Sequence, residues 1–191
     1  MIKDFNFNNL SSEDFLLYSD KWKSSEYGVL KEQLTEKVRS FYINSSFNPY
    51  DDHLSMINEL FSEIQKWGGS TGQRNRRYWM PADKKVYVQE MMKAAKSSID
   101  FDSKESLRKI IDSVKGLGIS FATKHLKFAS NYVIVFDEKI SKGSGIELSL
   151  EGYKHFLDKC NDKKIHLESQ GVNLSLQEIE EAYFQYLSLK K

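Results

Sequence analysis

Apolar residues recur along most of this chain at the spacing of an α-helix, in which positions three and four apart share one face. Leu30, Leu34, Val38 and Phe41 form one such stripe, and a longer stripe runs through residues 54–67. Stripes of this kind bury one side of a helix against a core. They predict two amphipathic helices in the first third of the chain.

Residues that commonly start helices precede three of the stripes. Asn48-Pro49 precedes the stripe at 54–67 and predicts a helix start there. Asp102 with Glu105, and Ser175 with Glu178, have the spacing of a capping box, in which two side chains bond to the first free N–H groups of a helix. The apolar residues that follow are Leu107, Ile110, Ile111 and Val114 in one helix and Ile179, Ala182, Tyr183 and Tyr186 in the other.

The best candidate for a β-strand is the short apolar run from Tyr132 to Phe136, which is more easily explained as a buried connection. No alternation of apolar and polar residues is long enough to indicate a sheet. We therefore predict an all-α, compact helical fold, with residues 1–191 forming a single domain or two small lobes with a cleft between them. Two segments interrupt the helical pattern, the glycine-rich and then basic segment at 67–79 and the turn at 116–118.

Charge is distributed unevenly along the chain. The net charge is only +1, yet residues 66–142 carry 16 basic and 8 acidic side chains, a surplus of +8. Residues 1–65 carry 6 basic and 11 acidic side chains, and residues 143–191 carry 6 and 8. A basic face on a nearly neutral protein is expected of a phosphate binder, although an ordinary solvated face accounts for the charge equally well.

Several classes of protein are disfavoured by composition. A lone cysteine, Cys160, excludes a disulfide framework and a cysteine-rich metal cluster, and is expected to be an inert helix residue. The four histidines lack the spacing of a metal site, so we expect no metal and no cofactor. No apolar run approaches a membrane span, and the first residues do not resemble a signal peptide. These features predict a cytoplasmic protein, most simply a monomer.

The segment from Leu107 to Phe128 has the pattern of two helices joined by a tight turn. Gly116 and Gly118 permit a positive φ and a close backbone approach in that turn. Backbone N–H groups at the turn and at the next helix start would attract a DNA phosphate without reading sequence. A simple helix corner, with glycines serving only packing, is the alternative.

An apolar run and then Asp137 follow this hairpin, an order that resembles the helix-hairpin-helix DNA glycosylase superfamily. GISFATKHLKFA followed by IVFD is most similar to bacterial OGG-fold proteins related to 8-oxoguanine DNA glycosylases. The similarity covers residues 104–142, with a fainter match from Tyr153 onward that includes EIEEAYFQYL. It implies that Gly116 and Gly118 are the hairpin glycines. It also implies that Asp137 is the catalytic carboxylate, which caps or opens the next helix and faces a flipped nucleotide.

The sequence departs from this superfamily at two places. Members that also cleave the DNA strand carry a lysine two residues after the second hairpin glycine, and here that position holds Ser120. Lys124 lies one helical turn further along the same face, so it is a candidate nucleophile, phosphate contact or structural lysine. The usual proline before the aspartate is replaced by Phe136. A glycosylase that leaves abasic sites intact is therefore the favoured expectation, with lyase activity as the alternative.

The resemblance implies a DNA glycosylase that flips and excises a modified base. Cleavage of an N-glycosidic bond builds positive charge on the sugar, which a carboxylate stabilises, and aromatic side chains offset the cost of unstacking the base. Oxidised guanine, in repair, and a bulky phage base such as glucosylated hydroxymethylcytosine, in antiviral defence, are both candidate substrates. A non-catalytic DNA-binding hairpin module and a helical scaffold without DNA are the alternatives. The predicted DNA contacts are Lys115, Gly116, Leu117, Gly118, Ser120, Arg74, Arg76 and Arg77, and the predicted base pocket or wedge residues are Trp67 and Trp79.

Overall fold

The computed structural model describes residues 7–44, 53–69, 81–98 and 101–189. In those ranges it contains nine α-helices, a short 3-10 turn at Phe7–Asn9 and no β-strand, which confirms the predicted all-α class. The helices are α1 (Ser12–Lys23), α2 (Glu26–Asn44), α3 (Leu54–Trp67), α4 (Pro81–Ala95), α5 (Ser103–Ser113), α6 (Ile119–Ala129), α7 (Glu138–Ser144), α8 (Leu150–Ser169) and α9 (Leu176–Leu189).

The helix starts follow the sequence signals where these are described. The Asp102 side chain accepts a hydrogen bond from the N–H of Glu105 at 3.0 Å and caps α5. Ser175 and Glu178 form both bonds of a capping box at the start of α9. Helix α3 begins at Leu54, whereas the start signal at Asn48-Pro49 lies outside the described residues.

Helix α6 is the central element of the fold. It contacts α2, α3, α4 and α5, and every residue from Phe121 to Ala129 is buried. Helix α1 packs along α9, which also contacts α7 and α8. The buried apolar side chains of these helices form one continuous cluster that extends from Phe7 to Tyr183. Any polar side chain that projects from α6 is therefore held by packing on several sides.

The apolar run before Asp137 is a buried connection without regular secondary structure, as predicted, and side chains bond to several of its backbone groups. The N–H of Val135 donates to Glu180 at 3.3 Å, and the N–H of Phe136 donates to the hydroxyl of Thr123 at 3.1 Å. The Gln177 amide donates to the carbonyl of Val133 at 3.0 Å. Helices α6 and α9 thus hold the segment that delivers Asp137.

No helix in the described part of the chain combines the length and the apolar composition that crossing a membrane requires. The lone thiol, Cys160, is buried within α8, and burial raises its pKa well above the ordinary value. A buried, protonated thiol is a poor nucleophile. Cys160 is therefore a packing residue, as its position in a helical pattern predicts.

Candidate active site

The hairpin between α5 and α6 contains the predicted turn, but only one of its glycines has the expected conformation. Gly116 has a φ of +84°, which favours glycine. Gly118 has a φ of −72° and a ψ of 176°, an extended conformation open to any residue, so the expectation of positive φ there is wrong. A Cβ at Gly118 would meet nothing within 4 Å. Gly118 is the N-cap of α6 and provides no side chain to cap it.

The other hairpin residues divide into an anchor and an exposed group. Leu117 is buried with 2% of its surface exposed and fixes the turn to the core. Lys115 is exposed beside it. Ser120 lies in the first turn of α6, where its carbonyl accepts a bond from the Thr123 hydroxyl at 3.1 Å. The hairpin therefore presents backbone and a lysine on its outer side while its apolar residue points inward.

Asp137 occupies the N-cap of α7 and uses its two oxygens differently. Oδ1 accepts hydrogen bonds from the N–H groups of Lys139 at 3.1 Å and Ile140 at 3.2 Å. Oδ2 lies 3.3 Å from the Nζ atom of Lys124. The capping role implied by the resemblance is confirmed. Capping also fixes the rotamer of the carboxylate, so that one oxygen faces the Lys124 amine.

Lys124 reaches this carboxylate from the second turn of α6. Its side chain is 11% exposed, and its Nζ atom lies 4.9 Å from the centre of the Phe121 ring. Gly68, at the end of α3, makes room for the chain, since a Cβ there would come within 3.3 Å of Lys124 Cδ and within 2.8 Å of Phe121. The structure thus brings together Lys124 and Asp137, the two residues that the sequence analysis named as candidates for catalysis.

Both residues line a cavity of about 380 Å³. Its volume falls within the range of small-molecule pockets, roughly 300–1,000 Å³. Ser120, at the position where the resemblance would place a nucleophile, does not line it. Lys124 is therefore the α6 side chain that reaches the Asp137 carboxylate from the cavity wall.

Aromatic side chains surround the cavity. Trp67 is half-buried, donates its indole N–H to the carbonyl of Tyr27 at 3.1 Å and packs edge-on against Phe128. The Nζ atom of Lys139 lies over the Phe184 ring, 4.6 Å from the ring centre. Trp22, Tyr27, Trp67 and Phe184 all line the space. Trp67 is thus both a packing residue and a pocket wall, and rings of this kind are suited to stack on a flat heterocycle.

A buried charge cluster lies deeper in the same region. Lys127 is 1% exposed and pairs with Glu180 and Glu181, each 3% exposed in its side chain. Glu181 also pairs with Lys31 at 2.7 Å. Burial opposes charge on Lys127, but the two carboxylates hold its pKa above the ordinary value. Burial also raises the pKa of Glu180, to about 6, against the opposing effect of Lys127.

Sequence reasoning missed this cluster and three of the aromatic walls, Trp22, Tyr27 and Phe184. One signal was available. Lys124 and Lys127 lie three residues apart in a segment otherwise rich in apolar residues, so both had to project from one side of a largely buried helix. Their carboxylate partners lie 13 and more than 50 residues away along the chain. Only the packing of α6 against α9 brings Glu180 to Lys127.

The buried histidine of α6 has a structural environment. His125 is fully buried, and its two ring nitrogens lie 3.1 Å from the Gln65 amide nitrogen and 2.8 Å from the Tyr87 hydroxyl. Burial, with a smaller effect of the neighbouring Lys124 charge, lowers its pKa to about 3. Among the described residues no group of three or more histidine, cysteine or acidic side chains is arranged to hold a metal ion.

The predicted basic and aromatic residues Arg74, Arg76, Arg77 and Trp79 lie outside the described residues. In comparisons with known proteins, the sequence matches no family model, and neither a curated protein nor a solved structure matches it at a significant level.

Proposed function

We propose that this protein is a DNA N-glycosylase that flips a modified base out of the duplex and excises it, with Asp137 as the catalytic carboxylate. The observation that carries the proposal is the 3.3 Å approach of Lys124 Nζ to Asp137 Oδ2 on the wall of a cavity of about 380 Å³. A carboxylate and an amine beside an aromatic-walled space are the groups that this chemistry requires.

Asp137 has the properties needed to stabilise a sugar cation. Its side chain is 13% exposed, so water screens its charge less than it would on the surface. The hydrogen bonds from Lys139 and Ile140 fix Oδ1 and leave Oδ2 directed toward Lys124. As the N-glycosidic bond breaks, its electron pair leaves with the base, which takes up a proton. Asp137 then opposes the positive charge that develops on the sugar.

The close approach of Lys124 also favours a second step, strand cleavage. In that route the amine attacks C1′ as the base leaves, and the resulting adduct opens to a Schiff base that precedes β-elimination. The ammonium group loses its proton to the departing base, so that the amine is free to attack and Asp137 stays ionised beside the sugar. In the simpler route a water attacks C1′ instead, and Lys124 acts only as the cation that holds Asp137 in place.

The hairpin and the basic surplus at 66–142 support DNA as the partner. Gly118 is about six residues from Lys124 along α6, or about 9 Å at 1.5 Å per residue. A phosphate held at the hairpin would therefore lie one to two nucleotides from the cavity. Oxidised guanine, in repair, and a bulky modified phage base, in antiviral defence, both remain within the proposed substrate class.

The test of this function is incubation with duplexes that each carry one modified base, scored for released base by mass spectrometry and for abasic sites by alkaline cleavage. We expect release from at least one duplex. Asp137→Asn should lower that release by about 100- to 1,000-fold. Asparagine caps a helix about as well as aspartate, so the variant should keep the fold and serve as a control that lacks only the carboxylate.

Two results would contradict the proposal. Full activity in Asp137→Asn would remove this carboxylate from the mechanism. DNA binding without base release from any duplex would favour a non-catalytic hairpin module, and its salt dependence would then report the phosphate contacts.

Lyase chemistry has a separate test. If Lys124 attacks C1′, sodium borohydride reduces the Schiff base and traps a covalent protein–DNA complex. Trapping should disappear in Lys124→Ala and persist in Lys139→Ala. Lys139 is a suitable control because it also lines the cavity, where its ammonium group contacts the Phe184 ring and the Ser188 hydroxyl. Base release with intact abasic sites and no trapping would indicate attack by water.

A further inference from the structure

A buried acceptor lies on the wall of the cavity, apart from the pair formed by Lys124 and Asp137. Glu180 is only 2% exposed, yet it lines the cavity. Its neighbour Glu181 is equally buried and shares the same lysine, but it does not line this cavity. Two adjacent carboxylates on one helix thus differ in whether they face the space.

The hydrogen bonds of Glu180 are concentrated on one oxygen. Oε2 accepts from the ammonium group of Lys127 and from the N–H of Val135 at 3.3 Å. Among the described residues, no hydrogen-bond donor contacts Oε1. Oε1 is also not fully enclosed by the protein, so it keeps some accessible surface. One carboxylate oxygen of this cavity-lining residue is therefore anchored, and the other is available to a ligand.

An anchored carboxylate of this kind discriminates strongly between ligands. It accepts hydrogen bonds and cannot donate while ionised, so an N–H group of a ligand satisfies it and a carbonyl oxygen repels it. Burial raises the pKa of Glu180 to about 6, so the group is ionised at pH 7.5 to 8. Leaving a lone pair of this carboxylate without a hydrogen bond costs more free energy in a dry pocket than in water.

We infer that Glu180 is a specificity-determining residue that selects bases presenting an exocyclic amino group, such as guanine-type purines and cytosine-type pyrimidines, over counterparts in which hydrogen or oxygen replaces that group. The inference rests on the proposed function in placing a base in this cavity. The aromatic rings of Trp67 and Phe184 line the same space and offer stacking surfaces, while Glu180 Oε1 offers a buried hydrogen-bond acceptor.

The experiment compares matched pairs that differ in one amino group. Binding is measured at pH 8 through tryptophan fluorescence, since Trp22 and Trp67 line the cavity. The probes are deoxyguanosine against deoxyinosine and deoxycytidine against deoxyuridine. Base release is measured in single turnovers on duplexes carrying 8-oxoguanine or 8-oxohypoxanthine, and 5-hydroxymethylcytosine or 5-hydroxymethyluracil. We expect a preference of about ten- to a hundredfold for the amino member.

Variants then assign the preference to one side chain. Glu180→Gln should reduce it to about threefold or less, because the amide carries both a donor and an acceptor. Glu181→Gln is the matched control, since it also touches Lys127 but lies off this cavity, and it should keep the preference. Glu180→Asp retains the charge beside Lys127 but withdraws the oxygen, so it should lose the preference even if Glu180→Gln folds poorly.

The outcomes separate this inference from the proposed function. Base release without an amino preference, or a preference that survives in Glu180→Gln and Glu180→Asp, overturns the role of Glu180 and leaves the glycosylase intact. An amino preference in nucleoside binding without any base release overturns the glycosylase and leaves the role of Glu180. A wild-type protein that binds neither member of either pair overturns the inference.

Discussion

Two lysines of helix α6 lie three residues apart and have opposite environments. Lys124 faces one carboxylate, Asp137, at 3.3 Å, and both side chains remain 11 to 13% exposed. Lys127 is 1% exposed and contacts two carboxylates, Glu180 and Glu181, the second of which also pairs with Lys31. Both pairs line the cavity, but the first is a single, partly exposed ion pair, whereas the second belongs to a buried network of two cations and two anions.

The difference shows how one helix separates a partly exposed ion pair from a buried one. A buried ion pair holds its place because removing either partner strands the other charge in a medium of low dielectric. The Lys124 pair is not bound in this way, because Asp137 retains two backbone hydrogen bonds without the lysine. Lys124 is therefore free to exchange its carboxylate for a ligand, and Lys127 is not.

The largest expected effect separates the two lysines by stability. Lys127→Met leaves Glu180 and Glu181 buried with one fewer cation, so it should lower the free energy of unfolding by about 3–5 kcal/mol. Lys124→Met should cost about 1 kcal/mol, since its pair is partly hydrated and Asp137 stays capped. Urea denaturation of the two variants, each a change of lysine to methionine, measures the difference.

Equal losses of unfolding free energy in Lys127→Met and Lys124→Met would show that the two lysines contribute equally to stability. A loss confined to Lys124→Met would show that its ion pair, and not the Lys127 network, supports the fold. The slopes of the denaturation curves serve as the control, because a changed slope would indicate that a variant no longer unfolds in the same two-state manner.

Much of the fold was predictable because local signals carry it. The stripes at 30–41 and 54–67 lie in helices α2 and α3, and Asp102 caps α5 as its spacing predicts. The hairpin and the buried run before Asp137 were also identified in the correct order. These features depend on helical periodicity, capping and turn chemistry, all of which act within a few residues.

The site was predictable only in part, because its remaining members come together through packing. Asp137 and Lys124 were both singled out, but nothing within a few residues indicates that they meet. Glu180 reaches Lys127 from 53 positions away, and Trp22 and Tyr27 reach the cavity from the other end of the chain. Glycine identity alone did not distinguish Gly116, with its positive φ, from the extended Gly118.

The next effect is the pH dependence of stability that arises from His125, which lies between Lys124 and Lys127 in the sequence. Its pKa is lowered from 6.5 to about 3 by burial. Between these values the unfolded chain binds a proton that the folded protein does not, so stability falls on acidification by at most about 1.4 kcal/mol per pH unit. Glu180 acts oppositely, since its pKa is raised from 4.5 to about 6 and its protonation favours the folded state as pH falls through that interval.

The two contributions offset each other between pH 6 and 4.5, so the variant His125→Gln is needed to separate them. The difference in unfolding free energy between wild type and variant should shrink by about 1.4 kcal/mol per unit from pH 6.5 downward. Urea titrations at half-unit steps measure it. A difference that stays constant with pH would mean that His125 is not held neutral by its buried position.

The smallest expected effect tests whether the hairpin serves DNA as well as the fold. A Cβ at Gly118 meets nothing within 4 Å and its φ is −72°, so Gly118→Val should change the free energy of unfolding by about 0.5 kcal/mol or less. The same side chain would block a phosphate from the N-terminus of α6, so DNA affinity should fall by roughly three- to tenfold.

Gly116→Val is the contrasting control, because its φ of +84° makes any side chain costly by about 1–2 kcal/mol. Fluorescence anisotropy with a labelled duplex measures the affinities, and thermal melting measures the stabilities. If Gly118→Val binds DNA as the wild type does, the hairpin is a helix corner, and the phosphate contacts must come from elsewhere in the basic segment.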